Sequence, residues 1–505
     1  MSLPAFTDMW DCEDEEVQQA IEHSLMNNSV NHMWDSQSAI SHGMFEKYGT
    51  EEEFRDDGTL NGLRNSSLFD LSTSSFDSSC HTSTSPSLVP LCRQFWRAGE
   101  YNAGVAPRPS SIAAQNRMRV HPKFLHSNAT SHKWVFGAIA ELLDNAVDEA
   151  QNGASFVIID KLTNIKSGHA LLIQDDGGGM DPESLRHCLS FGFSDKLSDS
   201  SIGQYGNGFK TSTMRLGADA VVFTRCHKER TLTQSVGLLS YTFLRQTGCD
   251  DVIVPMVDYK FDTVDGGFVR FIRHGQKEFH NNLSTLLRWS PFAGEENLLK
   301  QFDHLGHHGT RVIVFNLWLN DDGYPELDFD TNKQDIIISG ALDEMHNSRF
   351  AKNLNQNHVG NQFRYSLRAY SSILYLHLPE RFKIFLRGCL VEPHYIAGDL
   401  MYTQCIKYKP QATRTIESTE IGTVIGFLNG APNLDIHGFN IYHRNRLILA
   451  FWRVAHKCKG VVGVLETDCL NPTHDKQDFE KSEMFQKLEI RLKEMAWEYC
   501  YLKAE

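Results

Sequence analysis

Glu141 and Asn145 stand four residues apart in Glu141-Leu-Leu-Asp-Asn145-Ala-Val-Asp148, a spacing that brings a carboxylate and a carboxamide to one helical face, a turn apart. The carboxylate can activate a water, and the amide oxygen can complete the octahedral shell of Mg²⁺ beside phosphates. Asp175-Asp-Gly177-Gly-Gly179-Met180 directly follows the apolar run Leu171-Leu-Ile-Gln174. A carboxylate at a strand end can accept a hydrogen bond from an adenine amino group, and glycines without Cβ let the backbone approach the base. Gly203-Gln-Tyr-Gly206-Asn207-Gly208-Phe-Lys210-Thr211-Ser212 is a glycine loop running into a helix. Backbone N–H groups and the positive helix end make such a junction an anion site, with Lys210 adding a point charge. The spacing fits neither a P-loop nor a Rossmann loop. His308-Gly309-Thr310-Arg311 opens the apolar run Val312-Ile-Val-Phe315, where the Thr hydroxyl can support the adenine-binding carboxylate directly or through water. Each segment alone has a bland reading: a solvated polar face, a turn, a structural loop. Their joint order from Glu141 to Thr310 points to one nucleotide.

The elements that must position these groups alternate between helix and strand. Ser131 reads as the N-cap of a helix running to about Ala150, with an apolar stripe from Val135 to Ala150 and Glu141, Asn145 and Asp148 on another face. Strands are expected at 156–160, 169–175, 218–224, 251–257, 268–272 and 310–315, and helices at 182–191 and up to 216. After about residue 320 a second unit shows a helix at 363–376, strands near 382–391, 423–428, 439–442 and 461–465, and a closing amphipathic helix at 482–502. The expected class is α/β, with a first α/β domain over 92–320 and a second over 321–505.

Composition agrees with a globular protein rather than a collagen-like or wholly disordered one: 41% of the 505 residues are hydrophobic and 22% charged. No apolar run approaches a membrane helix, and the start lacks the basic and apolar stretches of a signal peptide, so no membrane role and an intracellular location are expected. Eleven cysteines without any C-x-x-C pair argue for reduced thiols rather than a zinc module. Most of the net charge of −14 comes from residues 1–90, with 16 acids against three bases. Residues 1–91 therefore read as a disordered acidic tail rich in Ser and Thr. The remaining chain is nearly neutral, so contact with nucleic acid would need a local basic patch or the geometry of an assembly.

The set E-x-x-x-N-A-x-D, D-x-G-x-G-M, G-x-x-G-x-G and G-T resembles the Bergerat ATP-binding fold of gyrase, the ninety-kilodalton heat-shock chaperones, histidine kinases and MutL. Closer still, the chain resembles the Microrchidia (MORC) ATPases, plant members in particular. That match lies in the segment from Val120 to Trp134, in Phe191-Gly-Phe-Ser-Asp-Lys196, in Ile202 to Asp219, in Ser366-Leu-Arg-Ala-Tyr370, in Gly438-Phe-Asn-Ile-Tyr-His443 and in Pro472-Thr-His-Asp-Lys-Gln-Asp-Phe479. The resemblance implies a Bergerat-type ATPase sandwich followed by a transducer-like domain.

It further implies that Glu141 polarises the attacking water and Asn145 holds Mg²⁺, while Asp175 binds the adenine amino group. Gly177, Gly179 and Thr310 would shape the base pocket, with Met180 beside them. Gly203, Gly206, Gly208 and Lys210 would wrap the phosphates, with Asp148 and Asn207 among the ATP-binding residues. Lys476 would reach the γ-phosphate from the second domain. Beyond the site, the resemblance implies an ATP-gated homodimer, or a heterodimer with another MORC protein, acting on DNA and chromatin in the nucleus. In plant members that work is gene silencing, through RNA-directed DNA methylation, and defence. Members commonly continue into a coiled coil after the point where this chain ends, so dimerisation is expected through the ATPase head or a partner. Arg444 stands where many relatives have lysine. A non-catalytic ATP-gated scaffold and a MutL-like DNA repair ATPase are the alternatives. Finally, Glu13 to Leu25 resembles a ubiquitin-interacting motif, with Val17, Ala20, Ile21 and Ser24 on one helical face.

Overall fold

Three of the apolar runs lie side by side at the centre of one sheet, and both faces of each are buried. The structure, a computed structural model, describes residues 118–502 apart from 166–167, 194–201, 204–205, 341–357, 411–419, 431–434 and 456–457. The expected tail, 1–91, and the segment 13–25 lie outside the described residues. The chain runs through helices α1 (Lys123–Ala129) and α2 (Val135–Asp148), strands β1 (Phe156–Ile165) and β2 (Gly168–Asp175), and helices α3 (Pro182–Cys188) and α4 (Gly208–Leu216). Strands β3 (Gly217–Lys228), β4 (Thr231–Ser240), β5 (Met256–Asp262) and β6 (Gly267–Arg270), helix α5 (Gln276–Trp289) and strand β7 (Gly309–Leu317) follow. A small ribbon of β8 (Leu327–Asp328) and β9 (Ile337–Ile338) leads to helix α6 (Leu367–Ile373) and strands β10 (Lys383–Leu386) and β11 (Cys389–Leu390). The remainder is β12 (Leu400–Tyr408), β13 (Ile421–Leu428), β14 (Gly438–His443), β15 (Arg446–Trp452), β16 (Val461–Glu466) and helix α7 (Glu483–Leu502).

The first sheet has nine strands in the order β11-β10-β1-β2-β7-β3-β4-β5-β6, antiparallel except where β10 lies parallel to β1. In β2, β3 and β7 alternate side chains feed two cores. Leu171, Ile173, Ala220, Val222, Val312 and Val314 face α2, while Leu172, Val221, Phe223, Ile313 and Phe315 face α5 and the residues after it. Burial on both faces explains why these runs are continuously apolar rather than alternating. The second sheet, β12-β13-β16-β14-β15, turns one face to the same core as α2, through Tyr442, Leu447, Val462 and Val464. Its other face is covered by α7, whose Phe485, Leu488, Leu492, Met495 and Tyr499 recur at helical spacing.

Three expectations change. Ser131 does not cap α2: its N–H bonds back to Asn128 and closes the turn after α1, and the residue before α2 is an extended Trp134. The expected division at residue 320 does not coincide with a change of sheet, because β10 and β11 complete the first sheet from beyond it. The strand expected at 251–257 forms later, at Met256–Asp262.

Candidate functional site

Twelve of the fourteen residues of α2 are buried, so the helix has no solvated polar face. Glu141 and Asp144 point instead toward the loop that follows β16. There Lys476 Nζ donates to Glu141 Oε1 at 2.8 Å and to Asp144 Oδ2 at 3.0 Å. The loop is built to aim that amine: Lys476 N–H bonds the Thr473 carbonyl, the Thr473 hydroxyl donates to Asp475, and Lys476 itself sits at φ 51. A non-glycine residue in this left-handed region costs on the order of 1–3 kcal/mol and persists only where its surroundings fix it.

Asp144 is also held by Arg446 of β15, whose Nε lies at 2.8 Å, and by the Tyr375 hydroxyl at 2.9 Å. Two acids and two bases thus meet inside the protein. Burial works against every one of these charges, but the outcomes differ. For Asp144 the nearby Arg446 and Lys476 outweigh burial and hold its pKa below the ordinary carboxylate value. For Glu141 burial prevails over Lys476 and the pKa is raised. Lys476 is driven up because the two carboxylates outweigh its own burial.

Beside this cluster opens a cavity of 390 Å³. Glu141, Asn145, Asp175, Gly179, Met180, Gly203, Gly206, Gly208, Lys210, Thr310 and Lys476 all line it, so the four separated segments and the second-sheet loop do converge. At one end Asp175 accepts from the Gly177 N–H at 2.9 Å and lies in register with Thr310 of β7. Burial raises its pKa to about 7. Met180 N–H donates to Thr224 Oγ1, which in turn lies 3.4 Å from Thr310 Oγ1. Gly179, at φ 68, passes so close to the Arg225 carbonyl that a Cβ would overlap it. At the other end, a Cβ at Gly208 would fall on Glu141 Oε2. Lys210 donates to the Cys188 and Gly206 carbonyls at 2.8 and 2.5 Å, and burial lowers its pKa to about 8.

Three expected residues act from outside the cavity wall. Asp148 accepts from Ile202 N–H and Gly203 N–H at 2.8 and 3.0 Å, pinning the start of the glycine loop. Asn207 accepts from Gly192 N–H at 2.9 Å, and Gly177 carries the N–H that orients Asp175. Asp144 and Arg446, together with Glu149 and His474 of the cavity lining, belong to this region although no motif gives them a role. Asp144 stood inside the first motif, one turn from Glu141. Its partner lies 302 residues away, a pairing that spacing cannot reveal.

Residues 132–261 match the family described as "Histidine kinase-, DNA gyrase B-, and HSP90-like ATPase", and residues 365–500 match "Morc6 ribosomal protein S5 domain 2-like". Fold and site therefore define an ATP-hydrolysing enzyme with a Bergerat-type domain and an S5-like transducer. The chain is 54% identical over 456 residues to Protein MICRORCHIDIA 6 of Arabidopsis thaliana, covering 89% of this chain and 68% of that protein. It is 53% identical to Protein MICRORCHIDIA 2 of the same plant, covering 81% of this chain and 66% of that one. With the MORC family CW-type zinc finger protein 3 of Mus musculus the identity is 39%, over 71% of this chain and 37% of the mouse protein. The chain belongs to the MORC family of ATPases. It spans about two thirds of the length of the plant relatives.

Proposed function

We propose that ATP joins the two sheets of this protein and that the closed form dimerises, with itself or with another MORC protein. The observation that carries this reading is Lys476, which reaches from the second-sheet loop to Glu141 beside the nucleotide cavity. Without nucleotide its ammonium bridges Glu141 and Asp144, and with Arg446 it balances their charge. A terminal phosphate brings more negative charge than either carboxylate, so it draws Lys476 toward itself and frees Glu141 to take a proton from the attacking water. A lysine supplied by one unit to the phosphate of another ties nucleotide state to the angle between them.

In this reading Asp175 accepts the adenine amino hydrogen bond, with Gly177, Gly179, Met180 and Thr310 shaping the base pocket. Gly203, Gly206, Gly208 and Lys210 surround the phosphates. Asn145, on the cavity wall one turn from Glu141, offers an amide oxygen that suits Mg²⁺. No group of three or more acidic, His or Cys side chains among the described residues could hold a metal by itself, so phosphates and waters would complete the shell. When bound, the ion would neutralise phosphate charge.

Action on DNA and chromatin, gene silencing and a nuclear location are the family's work and extend this reading. No described helix is long and apolar enough to cross a membrane. Ubiquitin is a further proposed partner, through residues 13–25, testable by titrating labelled ubiquitin with that peptide. The site reading is tested by single-turnover ATP hydrolysis alongside mass by light scattering, with and without a non-hydrolysable analogue. Glu141→Ala should bind and dimerise while hydrolysing about 10²–10⁴-fold more slowly, and Lys476→Ala should bind the analogue yet stay monomeric. Wild-type turnover in the first, or a full dimer in the second, would sink the assignment.

A further inference from the structure

Beside Lys476, a second side chain of the same loop crosses α2 in the other direction. Gln477 passes over Gly137, where a Cβ would come within 2.8 Å of its amide nitrogen and push that side chain aside. The Gln477 Nε2 lies 3.1 Å from His132 Nδ1, and His132 Nε2 lies 3.1 Å from Thr211 Oγ1. Thr211 Oγ1 is in turn 3.1 Å from the Gly208 carbonyl and 3.3 Å from that of Asn207.

Donor and acceptor inventory fixes the direction of this chain. The Gln477 amide donates to Nδ1, which must therefore be the bare nitrogen of the ring. Nε2 then carries the proton and donates to the Thr211 hydroxyl, whose own proton goes to the glycine-loop carbonyls. A neutral imidazole suits the place: His132 is 1% exposed, and burial lowers its pKa to about 4 against the pull of Asp475, with Lys476, His474 and Arg215 also facing it. The backbone of His132 is fixed separately, by Arg215 Nε donating to its carbonyl at 3.0 Å while the Arg215 guanidinium pairs with Glu326.

We propose that Gln477, His132 and Thr211 form a hydrogen-bond relay that transmits the position of the Lys476 loop to the glycine loop, with His132 as its positioning residue. The relay rests on the reading above, in which Lys476 meets the terminal phosphate. Gln477 is its immediate neighbour, so a movement of Lys476 toward phosphate carries Gln477 along. His132 and Thr211 then re-aim the Asn207 and Gly208 peptide groups where the phosphates lie. One arm of the loop answers to the charge, and the other sets the cradle that holds it.

Gln477 and Thr211 share His132 as a partner, which makes a double-mutant cycle on the two outer residues diagnostic while the central ring stays in place. Gln477→Leu and Thr211→Val keep bulk and remove the end bonds. Each should slow ATP hydrolysis by up to about tenfold, the worth of one buried hydrogen bond, and the double variant should be no slower than the worse single one. The unfolding midpoint, measured on the same proteins, should show no matching coupling. Losses that multiply in the double variant, wild-type rates in either single variant, or equal coupling in rate and midpoint would each overturn the relay. If Glu141→Ala and Lys476→Ala behave as described above while the cycle is additive, the relay alone fails. If the wild-type chain itself does not bind the analogue, the reading of the site fails with it.

Discussion

Replacing Lys476 by methionine keeps most of its bulk and removes one of four buried charges. Glu141, Asp144, Lys476 and Arg446 are each at most 5% exposed at the side chain, so neither solvent nor salt screens them appreciably. With Lys476 they sum to neutrality; without it, two carboxylates share Arg446 and a net negative charge is left inside. Breaking a buried pair from one side typically costs about 3–5 kcal/mol, because the orphaned partner remains desolvated. Lys476→Met should therefore lower nucleotide-free stability by that amount in urea unfolding, with little dependence on salt. Adding Glu141→Gln removes the orphaned charge and should restore most of the loss. The pH dependence has a definite sign. Glu141 already has a raised native pKa, and losing Lys476 raises it further, so the ionised group opposes folding at neutral pH and that opposition disappears as pH falls through the native pKa. The gap between variant and wild type should close in acid. A loss below about 1 kcal/mol, or a double variant as unstable as the single, would refute the account of a neutral buried cluster.

Three further outcomes can be checked directly. Asp175 must be ionised to accept the adenine amino group most strongly, and its pKa is raised to about 7, so ATP affinity should fall as pH is lowered through that value. The steepest slope should be about tenfold per pH unit; calorimetric affinity that is flat across that range would place the base elsewhere. Asp148→Ala removes the acceptor for Ile202 and Gly203 N–H and should weaken analogue binding by about tenfold while barely moving the unfolding midpoint, as read by calorimetry and thermal melting. Gly179→Ala should abolish nucleotide binding or folding, since the new Cβ meets the Arg225 carbonyl at a positive φ; unimpaired analogue binding would refute it.

Residues whose chemistry and neighbours are local were readable from sequence. Glu141, Asn145, Asp175, Gly179, Gly203, Gly206, Gly208, Lys210 and Thr310, which line the cavity, stand out by motif, and β2, β3 and β7 by unbroken apolar runs. Strand β4 escaped because its Thr, Gln and Ser residues look like a loop. Inside the sheet they are buried and bonded, as when Ser235 donates to Asp258 at 2.6 Å. Strand β12 escaped for the opposite reason: it edges its sheet, with Tyr402 and Met401 exposed. The helical periodicity of α2 is legible in the sequence, as is a polar face suited to a nucleotide. No local signal shows that a loop beginning after residue 470 will cover it. Resemblance to a family supplied Lys476, and physical reasoning from spacing alone would not have done so.

The distance along the chain between Lys476 and Glu141, 335 residues, also bears on how the protein is made. The ribosome delivers α2 long before it delivers the loop that neutralises it, and β10, which extends the first sheet beside β1, also arrives late. Until then the nascent first domain carries two acids awaiting their counter-charges and an unpaired strand edge, the kind of surface that invites chaperones or wrong partners. Contacts of such long range close slowly. The same late contact can serve as an assembly check: in the reading proposed above, the site lacks its second-sheet lysine until that loop has been made and folded. In that reading, a chain broken off between β11 and residue 476 keeps the cavity residues from Glu141 to Thr310 but lacks the lysine that ties nucleotide to the second sheet.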